Sequence, residues 1–409
     1  MSPEPAAISD TSPTSKWQRV LSVAWVFLKL GLTSFGGPIA HVGYFRREFV
    51  ERRRWLNDVD FGRLLALCQF LPGPASSQLG FSIGLLREGG WGGVAAFTGF
   101  TLPSAILMIA FAYLSHDLVG AWGEAIIHGL KLVAVAVVAQ GLWGMARSLT
   151  PDWPRCLLAA SALALMVWAP NALMQLAAVA IGALCGPLAC RRVSTPGGET
   201  FGLSYSHRLG AVLMAAYGAL LACALLGVSG RSEFGQIAAA FYRAGALVFG
   251  GGHVVLPLLQ QTVVAPGWVD ANAFLAGYGA AQAVPGPMFT LAAFLGARWQ
   301  HGEGGALGAL VALLAIFLPG LLLVSGCLPF WSALASHARA VRMLAGVNAV
   351  VVGLLAYAFY NPVWMGGIHD GVDVAIAGSG FILLTLARCP ALAVVIGCVG
   401  VSLLRMATI

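Results

Sequence analysis

The chain has 409 residues, of which 59% are hydrophobic and only 10% are charged. Soluble domains carry about 25% charged residues, because polar surface must cover their hydrophobic core. The composition therefore excludes a soluble enzyme, a nucleic-acid-binding protein and a disordered scaffold as descriptions of the whole chain. The net charge of +7 comes from basic residues between apolar stretches, as in membrane proteins whose loops are oriented by charge. We predict an all-α polytopic membrane protein that contacts the lipid bilayer and not nucleic acid.

Glycine and proline interrupt four of the apolar segments. Gly-Gly-Pro at 36–38 and Pro-Gly-Pro at 72–74 are followed, in the same order, by three glycines at 250–252 and Pro-Gly-Pro at 285–287. Proline removes a hydrogen-bond donor and clashes with the preceding helical turn. We therefore predict broken helices at all four positions.

The arginines indicate how the first two broken segments run. Lys16 and Arg19 precede the first segment, an arginine-rich stretch at 46–54 follows it, and Arg87 follows the second segment. If both segments crossed the membrane, the arginine-rich stretch would lie on the opposite side from Lys16 and Arg87. If both segments dip in and return, most of the 23 basic residues lie on the cytoplasmic side, as the positive-inside rule favours. We predict re-entrant segments.

The sequence contains an internal repeat. Phe-Gly-Gly at 35–37 returns at 249–251, and Pro-Gly-Pro at 72–74 returns at 285–287. The loop between the two motifs is rich in arginine in the first half, whereas residues 260–273 contain no Lys or Arg. We predict two repeats of inverted topology, as in many secondary transporters. The predicted division is a cytoplasmic N-terminal tail at 1–19, a first membrane repeat at 20–190, a cytoplasmic linker with an inverting transmembrane helix at 191–234, and a second, inverted membrane repeat at 235–409.

The broken segments also predict a binding site. Backbone without helical hydrogen bonds must be buried in protein or line a wet cavity. The helix that begins after each break directs N–H groups and a positive dipole end toward that space, which favours an anion. Lys29 and Arg243 hold matching positions in the two halves, and we expect them to be buried cations beside the anion. The candidate substrate-binding residues are Lys29, Gly36, Gly37, Pro38, Gln69, Pro72, Gly73, Pro74, Ser76, Ser77, Arg243, Gly250, Gly251, Gln282, Pro285, Gly286 and Pro287.

Simpler interpretations of these residues stay open. Glycine and proline also kink packed membrane helices, and a long basic side chain can reach for the membrane surface. His41 and His253 flank the two glycine breaks and are candidates for proton coupling, or else buried hydrogen-bonded histidines. Helical spacing predicts a local salt bridge among Glu124, His128 and Lys131.

Sequence motifs give no sign of a cofactor or a catalytic centre. The eight cysteines have no CxxC spacing, so we expect neither a disulfide framework nor a metal site. No Walker or HExxH motif occurs in the sequence. We predict no catalytic residue, no metal and no cofactor.

Two stretches of the first half resemble a known family. Residues 30–54 read LGLTSFGGPIAHVGYFRREFVERRR and residues 68–74 read CQFLPGP, and both resemble signatures of the chromate ion transporter family. A degenerate second copy, FGGGHVVLP at 249–257 and QAVPGP at 282–287, looks like the second half of the long, two-domain members. The resemblance covers nearly the whole chain. It implies a secondary active transporter that exports chromate from the bacterial cytoplasm and confers chromate resistance.

The two copies are not equal, and the substrate is not settled by residues alone. The second copy has Gly252 where the first has Pro38, which suggests that the first half dominates substrate handling. Chromate and sulfate are both tetrahedral dianions, so a transporter of sulfate or another oxyanion is the alternative. An intramembrane lipid-phosphate enzyme and a channel are less favoured. We expect a multi-pass protein of the bacterial cytoplasmic (inner) membrane, with a homodimer as a further possibility.

Overall fold

The computed structural model describes residues 15–115, 120–191, 193, 201–203, 205–227, 232–249, 255–299, 304–387 and 389–408. Within these ranges the chain is mostly helical and contains no β-strand. Five helices are long and apolar enough to cross a membrane. The predicted fold class, an all-α polytopic membrane protein, is confirmed.

The described part of the first half forms seven helices, and an eighth helix links it to the second half. α2 continues directly into a π-helix at Arg47–Arg52. The helices are α1 Lys16–Thr33, α2 Gly37–Arg46, α3 Asp58–Phe70, α4 Ala75–Leu114, α5 Ala121–Leu149, α6 Trp153–Trp168, α7 Ala172–Ala189 and α8 His207–Leu225.

The second half returns to the same order of elements. α10 continues into a π-helix at Gln260–Val264, as α2 does in the first half. Asp270 caps α11 as Asn57 caps α3, each through a side-chain oxygen that accepts first-turn N–H groups. The helices are α9 Glu233–Ala246, α10 Val255–Leu259, α11 Ala271–Ala283, α12 Leu291–Ala297, α13 Gly305–Cys327, α14 Trp331–Ser336, α15 Ala338–Ala358, α16 Met365–Gly367, α17 Gly371–Thr385 and α18 Ala391–Thr408.

α4 is a helical hairpin with its turn at Gly89. Gly89 has a φ of 66°, which glycine adopts without strain. The two arms pack so closely that a Cβ on Gly84 would lie 2.3 Å from the carbonyl oxygen of Gly92. The second half repeats this contact between α12 and α13, where a Cβ on Gly296 would lie 2.3 Å from the Gly308 oxygen. Small residues commonly allow such close approach of membrane helices.

Both broken segments of the first half start and end at one end of the bundle. Arg19, at the start of α1, forms an ion pair of 3.1 Å with Glu88 at the turn of α4. The guanidinium carbon of Arg87 lies 5.4 Å from the centroid of the Trp55 ring, in the loop before α3. Crossing segments would place that loop at the opposite end from Arg19 and Arg87. The predicted re-entry is therefore confirmed.

The second half has the opposite orientation. The rings of Trp268 and Trp299 lie 4.4 Å apart, so the segment formed by α11 and α12 begins and ends at one place. A Cβ on Gly305, at the start of α13, would lie 3.5 Å from the hydroxyl of Tyr113. Tyr113 ends the second arm of α4, about 35 Å along the helix from the turn at Gly89. The α4 turn and the start of α13 therefore lie at opposite ends of the bundle.

The helices after the hairpins are exchanged between the halves. α5 packs against α17 and α18, whereas α15 packs against α6 and α7. A Cβ on Gly129 of α5 would lie 2.6 Å from the Cα of Val399 in α18, and one on Gly186 of α7 would lie 2.4 Å from the Arg342 carbonyl in α15. The two repeats thus divide the sequence but share one packed interior. The domain boundaries themselves stay a prediction.

The opposite orientation of the two halves predicts that the loops after their π-helices lie on opposite sides of the membrane. In a cysteine-free background, Val59→Cys at the start of α3 and Ala265→Cys at the end of the second π-helix place single thiols at exposed positions. An impermeant thiol reagent applied to intact cells should label Ala265→Cys and spare Val59→Cys, because the arginine-rich loop stays cytoplasmic. Permeabilised cells are the control, in which both should react. Equal labelling of both thiols in intact cells would contradict the inverted arrangement.

Candidate functional site

Two backbone hydrogen bonds join the broken segments of the two halves. The Gly73 N–H, in the first Pro-Gly-Pro, donates to the Val248 carbonyl at the second break over 2.7 Å. The Gly286 N–H, in the second Pro-Gly-Pro, donates to the Ser34 carbonyl at the first break over 2.9 Å. We call this pair of bonds the crossover. The bonds are related by the internal repeat, and they show that the broken segments of the two halves meet.

Glycine is required at the centre of both Pro-Gly-Pro turns. The φ angle is 124° at Gly73 and 100° at Gly286, in a region that other residues rarely adopt. A Cβ on Gly73 would lie 3.0 Å from the Cα of Gly320, and a Cβ on Gly286 would lie 2.8 Å from Ser104 Oγ. The flanking prolines have no N–H. The glycine therefore supplies the one backbone donor of each turn, and the crossover uses it.

At the first break, α1 ends and α2 begins in open space. Gly36 and Gly37 have φ angles of 100° and 73°, and Pro38 lies in the first turn of α2, where its missing N–H is not needed. A Cβ on Gly37 would meet no atom within 4 Å. The N–H groups and the positive dipole end of α2 are therefore open to an anion.

His41 connects the first break to the start of α4. Its side chain is buried, with Nε2 at 3.2 Å from the Ser34 carbonyl oxygen and Nδ1 at 3.4 Å from Ser76 Oγ. A carbonyl oxygen only accepts, so Nε2 carries the proton in this arrangement and Nδ1 accepts from the Ser76 hydroxyl. A role of His41 in proton coupling stays a prediction.

α4 begins inside the protein with polar residues in its first turn. Ser76, Ser77 and Gln78 are buried, and the first N–H groups of a helix have no acceptor within that helix. Ser77 Oγ is buried without a hydrogen-bond partner among the described residues. Gln78 Nε2 donates to the carbonyls of Pro72 and Gly320, over 2.9 and 3.1 Å. The free amides and the Ser77 hydroxyl together form a set of donors suited to an oxyanion.

The corresponding turn of the second half is apolar. Met288 and Phe289 follow the second Pro-Gly-Pro, and both are buried. The Thr290 hydroxyl is already bonded, because it donates to the Pro287 carbonyl over 2.7 Å. Of the two Pro-Gly-Pro turns, the first therefore has the free polar donors.

The two glutamines that precede the Pro-Gly-Pro turns have different surroundings. Gln69 is exposed, whereas Gln282 is buried and its Nε2 lies 2.9 Å from Met288 Sδ. Gln78, and not Gln69, binds the Pro72 and Gly320 carbonyls, and a role for Gln69 in binding the substrate stays a prediction. In the sequence, Gln78 stands out only as a polar residue in an apolar helix.

Lys29 is not the buried cation that its position predicts. Its side chain is exposed, on the same face of α1 as Trp25 and Leu32, which are 64% and 53% exposed. The other face of α1 packs against α4. The expectation of burial is wrong, because the sequence does not tell which face of α1 is covered. A role for Lys29 in binding stays a prediction.

Arg243 has the surroundings that Lys29 lacks. It is half-buried and lines a cavity of about 110 Å³ beside the second break. Gly250, Gly251 and His253 of that break lie outside the described residues, and their roles stay predictions. Gln175, Gln261 and Thr262 also line this cavity. They were not singled out from the sequence, because they lie on other helices, away from Arg243 along the chain.

The polar residues of α5 contact other helices instead of each other. His128 Nε2 lies 2.9 Å from Asp373 Oδ1 in α17. Lys131 Nζ donates to Asn272 Oδ1 in α11 over 2.7 Å. The predicted local salt bridge with Glu124 is therefore wrong. Contacts between helices offer these groups partners that are better placed than a neighbour one turn away.

A cluster of His128, His369 and Asp373 has potential metal-ligand atoms within 4.8 Å of one another. Arg405 forms an ion pair of 3.2 Å with Asp373, however, and also pairs with Asp370. The hydrogen bond from Arg405 lowers the pKa of Asp370 to about 2. A metal ion would have to compete with this guanidinium, so we assign the cluster to the packing of α5, α17 and α18.

The crossover predicts a large effect of a small substitution. Gly73→Ala should lower the stability of the purified protein by about 1–3 kcal/mol, because φ and the contact with Gly320 are both unfavourable for a Cβ. Gly62→Ala is the control, since Gly62 is an exposed helical residue with no atom within 4 Å of a Cβ. Thermal unfolding in detergent measures both variants. Equal midpoints for Gly73→Ala and the parent would contradict the required backbone geometry.

Comparison with known proteins agrees with the two-repeat structure. The sequence matches the chromate transporter family at residues 21–187 and again at 235–403. A chromate transport protein of Pseudomonas aeruginosa is 29% identical over 345 residues, which cover 80% of this chain and 77% of the relative. A probable chromate transport protein of Synechococcus elongatus is 29% identical over 340 residues, 81% of each chain.

A third relative, a chromate transport protein of Cupriavidus metallidurans, is 26% identical over 354 residues, which cover 85% of this chain and 83% of the relative. No solved structure matches the chain. The two family matches coincide with the two sets of re-entrant segments described above. The chain therefore belongs to the chromate transporter family of membrane proteins.

Proposed function

We propose that the protein exports chromate from the cytoplasm by secondary active transport and so confers chromate resistance. Relatives in Pseudomonas aeruginosa and Cupriavidus metallidurans are named chromate transport proteins. The observation that carries the proposal is the buried, polar start of α4 at a crossover between two inverted pairs of re-entrant segments. Inverted repeats around a central site are the usual basis of alternating access.

A tetrahedral dianion fits the chemistry of this site. The first-turn amides of α4 and the Ser77 hydroxyl donate hydrogen bonds, and the positive end of the helix dipole attracts negative charge. Burial strengthens these interactions, because less water screens them. Sulfate has the same shape and charge as chromate, so it is the competing substrate in any test.

Membrane potential is a sufficient driving force for export. The sequence contains no Walker motif, and moving one charge through 100 mV is worth about 2.3 kcal/mol. Export of a dianion from a negative-inside cell is therefore favoured without ATP. Proton coupling through His41 would add to this force. Protonation at Nδ1 would place a positive charge beside the Ser76 hydroxyl and the start of α4.

The proposed location is the bacterial inner membrane. The exposed face of α1, with Trp25, Lys29 and Leu32, is suited to contact with lipid or with a second copy of the chain.

Transport in proteoliposomes tests the function. Purified protein should move labelled chromate down an imposed membrane potential without ATP, because the sequence contains no Walker motif. Unlabelled sulfate is added as a competitor, and protein-free liposomes are the control. Strict dependence on ATP would contradict secondary transport. Movement of sulfate but not of chromate would reassign the substrate.

The start of α4 can be tested separately. Ser77→Ala should reduce chromate transport about tenfold or more, because a hydrogen bond to a charged group is worth about 1.5–3 kcal/mol. Ser379→Ala is the control, since the Ser379 hydroxyl is bonded to the Ile376 carbonyl within α17. Flux and membrane abundance are measured for both variants. Normal flux in Ser77→Ala would remove this hydroxyl from the proposed site.

A further inference from the structure

A cavity that contains Arg243 and two glutamines in its wall lies beside the crossover. It has a volume of about 110 Å³ and is lined by residues of α7, α8, α9, α10, the π-helix at Gln260–Val264 and α15. Leu247 and Phe249 line it, and they flank Val248, whose carbonyl accepts the crossover bond from Gly73. An occupant of the cavity would therefore contact the residues on either side of Val248.

Arg243 places a positive charge at this cavity. The helix rises about 15 Å from Glu233 to Arg243, which is about half of a 30 Å apolar core. No acidic side chain is among the described residues that line the cavity, and Arg243 forms no ion pair within the described part of the chain. A cation at this depth is costly without a partner. An anion in the cavity would offset that cost.

Two glutamines add hydrogen-bonding groups to the cavity wall. Gln175 is only 5% exposed, and Gln261 Oε1 is buried without a partner among the described residues. The hydroxyl of Thr262, by contrast, is bonded to the Leu258 carbonyl. A terminal amide can turn its N–H groups toward an oxyanion, and a guanidinium can bind two oxygens at once. These groups match an anion with several oxygens.

The rest of the wall is apolar and limits the size of the occupant. Leu176, Val179, Leu225 and Val351 line it, and Leu176 and Leu225 are also exposed on the outside of the helix bundle, at 40% and 48%. A charge pair gains strength where the effective dielectric constant is low. The cavity volume suits a compact anion.

We propose that this cavity is a second oxyanion site, which holds a tetrahedral dianion next to the crossover during transport. The assignment of the substrate class rests on the proposed function. The first half has no equivalent site, because Lys29, the residue that matches Arg243, faces outward. The first half supplies the polar start of α4 and Gln175, and the second half supplies Arg243 and Gln261.

Equilibrium binding of labelled chromate to purified protein, in a detergent free of anionic lipid, tests the site. Arg243→Gln should weaken chromate binding at least about tenfold, because it removes charge-assisted hydrogen bonds. Arg243→Lys should lie between this variant and the parent, since it keeps the charge without the planar fork. Gln175→Leu, which retains Arg243, should weaken binding several-fold. Arg208→Gln, at the exposed start of α8, makes the same charge change and should bind like the parent.

The outcomes distinguish failure of this site from failure of the proposed function. Unchanged chromate affinity in folded Arg243→Gln and Gln175→Leu would overturn the site and leave chromate transport standing. Failure of the parent protein to bind or move chromate would overturn the function itself. Added phosphatidylglycerol tests the other source of an oxyanion, a lipid headgroup. If this lipid displaces chromate from the parent but has no effect on Arg243→Gln, the cavity binds lipid phosphate and the assignment to transported substrate is wrong.

Discussion

The arrangement of this protein depends on two backbone hydrogen bonds between broken helices. Membrane helices satisfy their own backbone, so a break in the apolar core exposes N–H and C=O groups that lipid cannot bind. Here each Pro-Gly-Pro turn has one N–H, at Gly73 or Gly286, and it donates to the break of the other half. Each break thus stabilises the other, and the two halves must fold together. The bond from the Gly73 N–H to the Val248 carbonyl also holds the start of α4 next to Val248.

Much of the fold could be predicted from the sequence, because the features that define membrane helices can be recognised in short stretches of sequence. Apolar length, the interrupted segments and the distribution of arginine predict helices, breaks and re-entry. The repeat of Phe-Gly-Gly and Pro-Gly-Pro predicts two related halves. The exchange of α5 and α15 between halves could not be predicted, because it depends on contacts such as that of Gly129 with Val399, which lie far apart in the sequence.

The site was less predictable, since chemistry depends on which face of a helix is covered. Lys29 and Arg243 match in the sequence, yet Lys29 is exposed on α1 and Arg243 lines a cavity. The turns after the two Pro-Gly-Pro motifs differ in a similar way, with Ser77 at the first and Phe289 at the second. The repeat thus preserves the backbone of the crossover, whereas its side chains have diverged to give each half a different set of polar groups.

A cryo-electron microscopy structure of the protein in nanodiscs with sodium chromate would test the central claim most directly. The account predicts density for a tetrahedral anion at the first turn of α4 or in the cavity lined by Arg243, with the Gly73 N–H still bonded to the Val248 carbonyl. Chromate density remote from both elements would contradict it. So would a bound structure in which the Pro-Gly-Pro turns of the two halves lie apart.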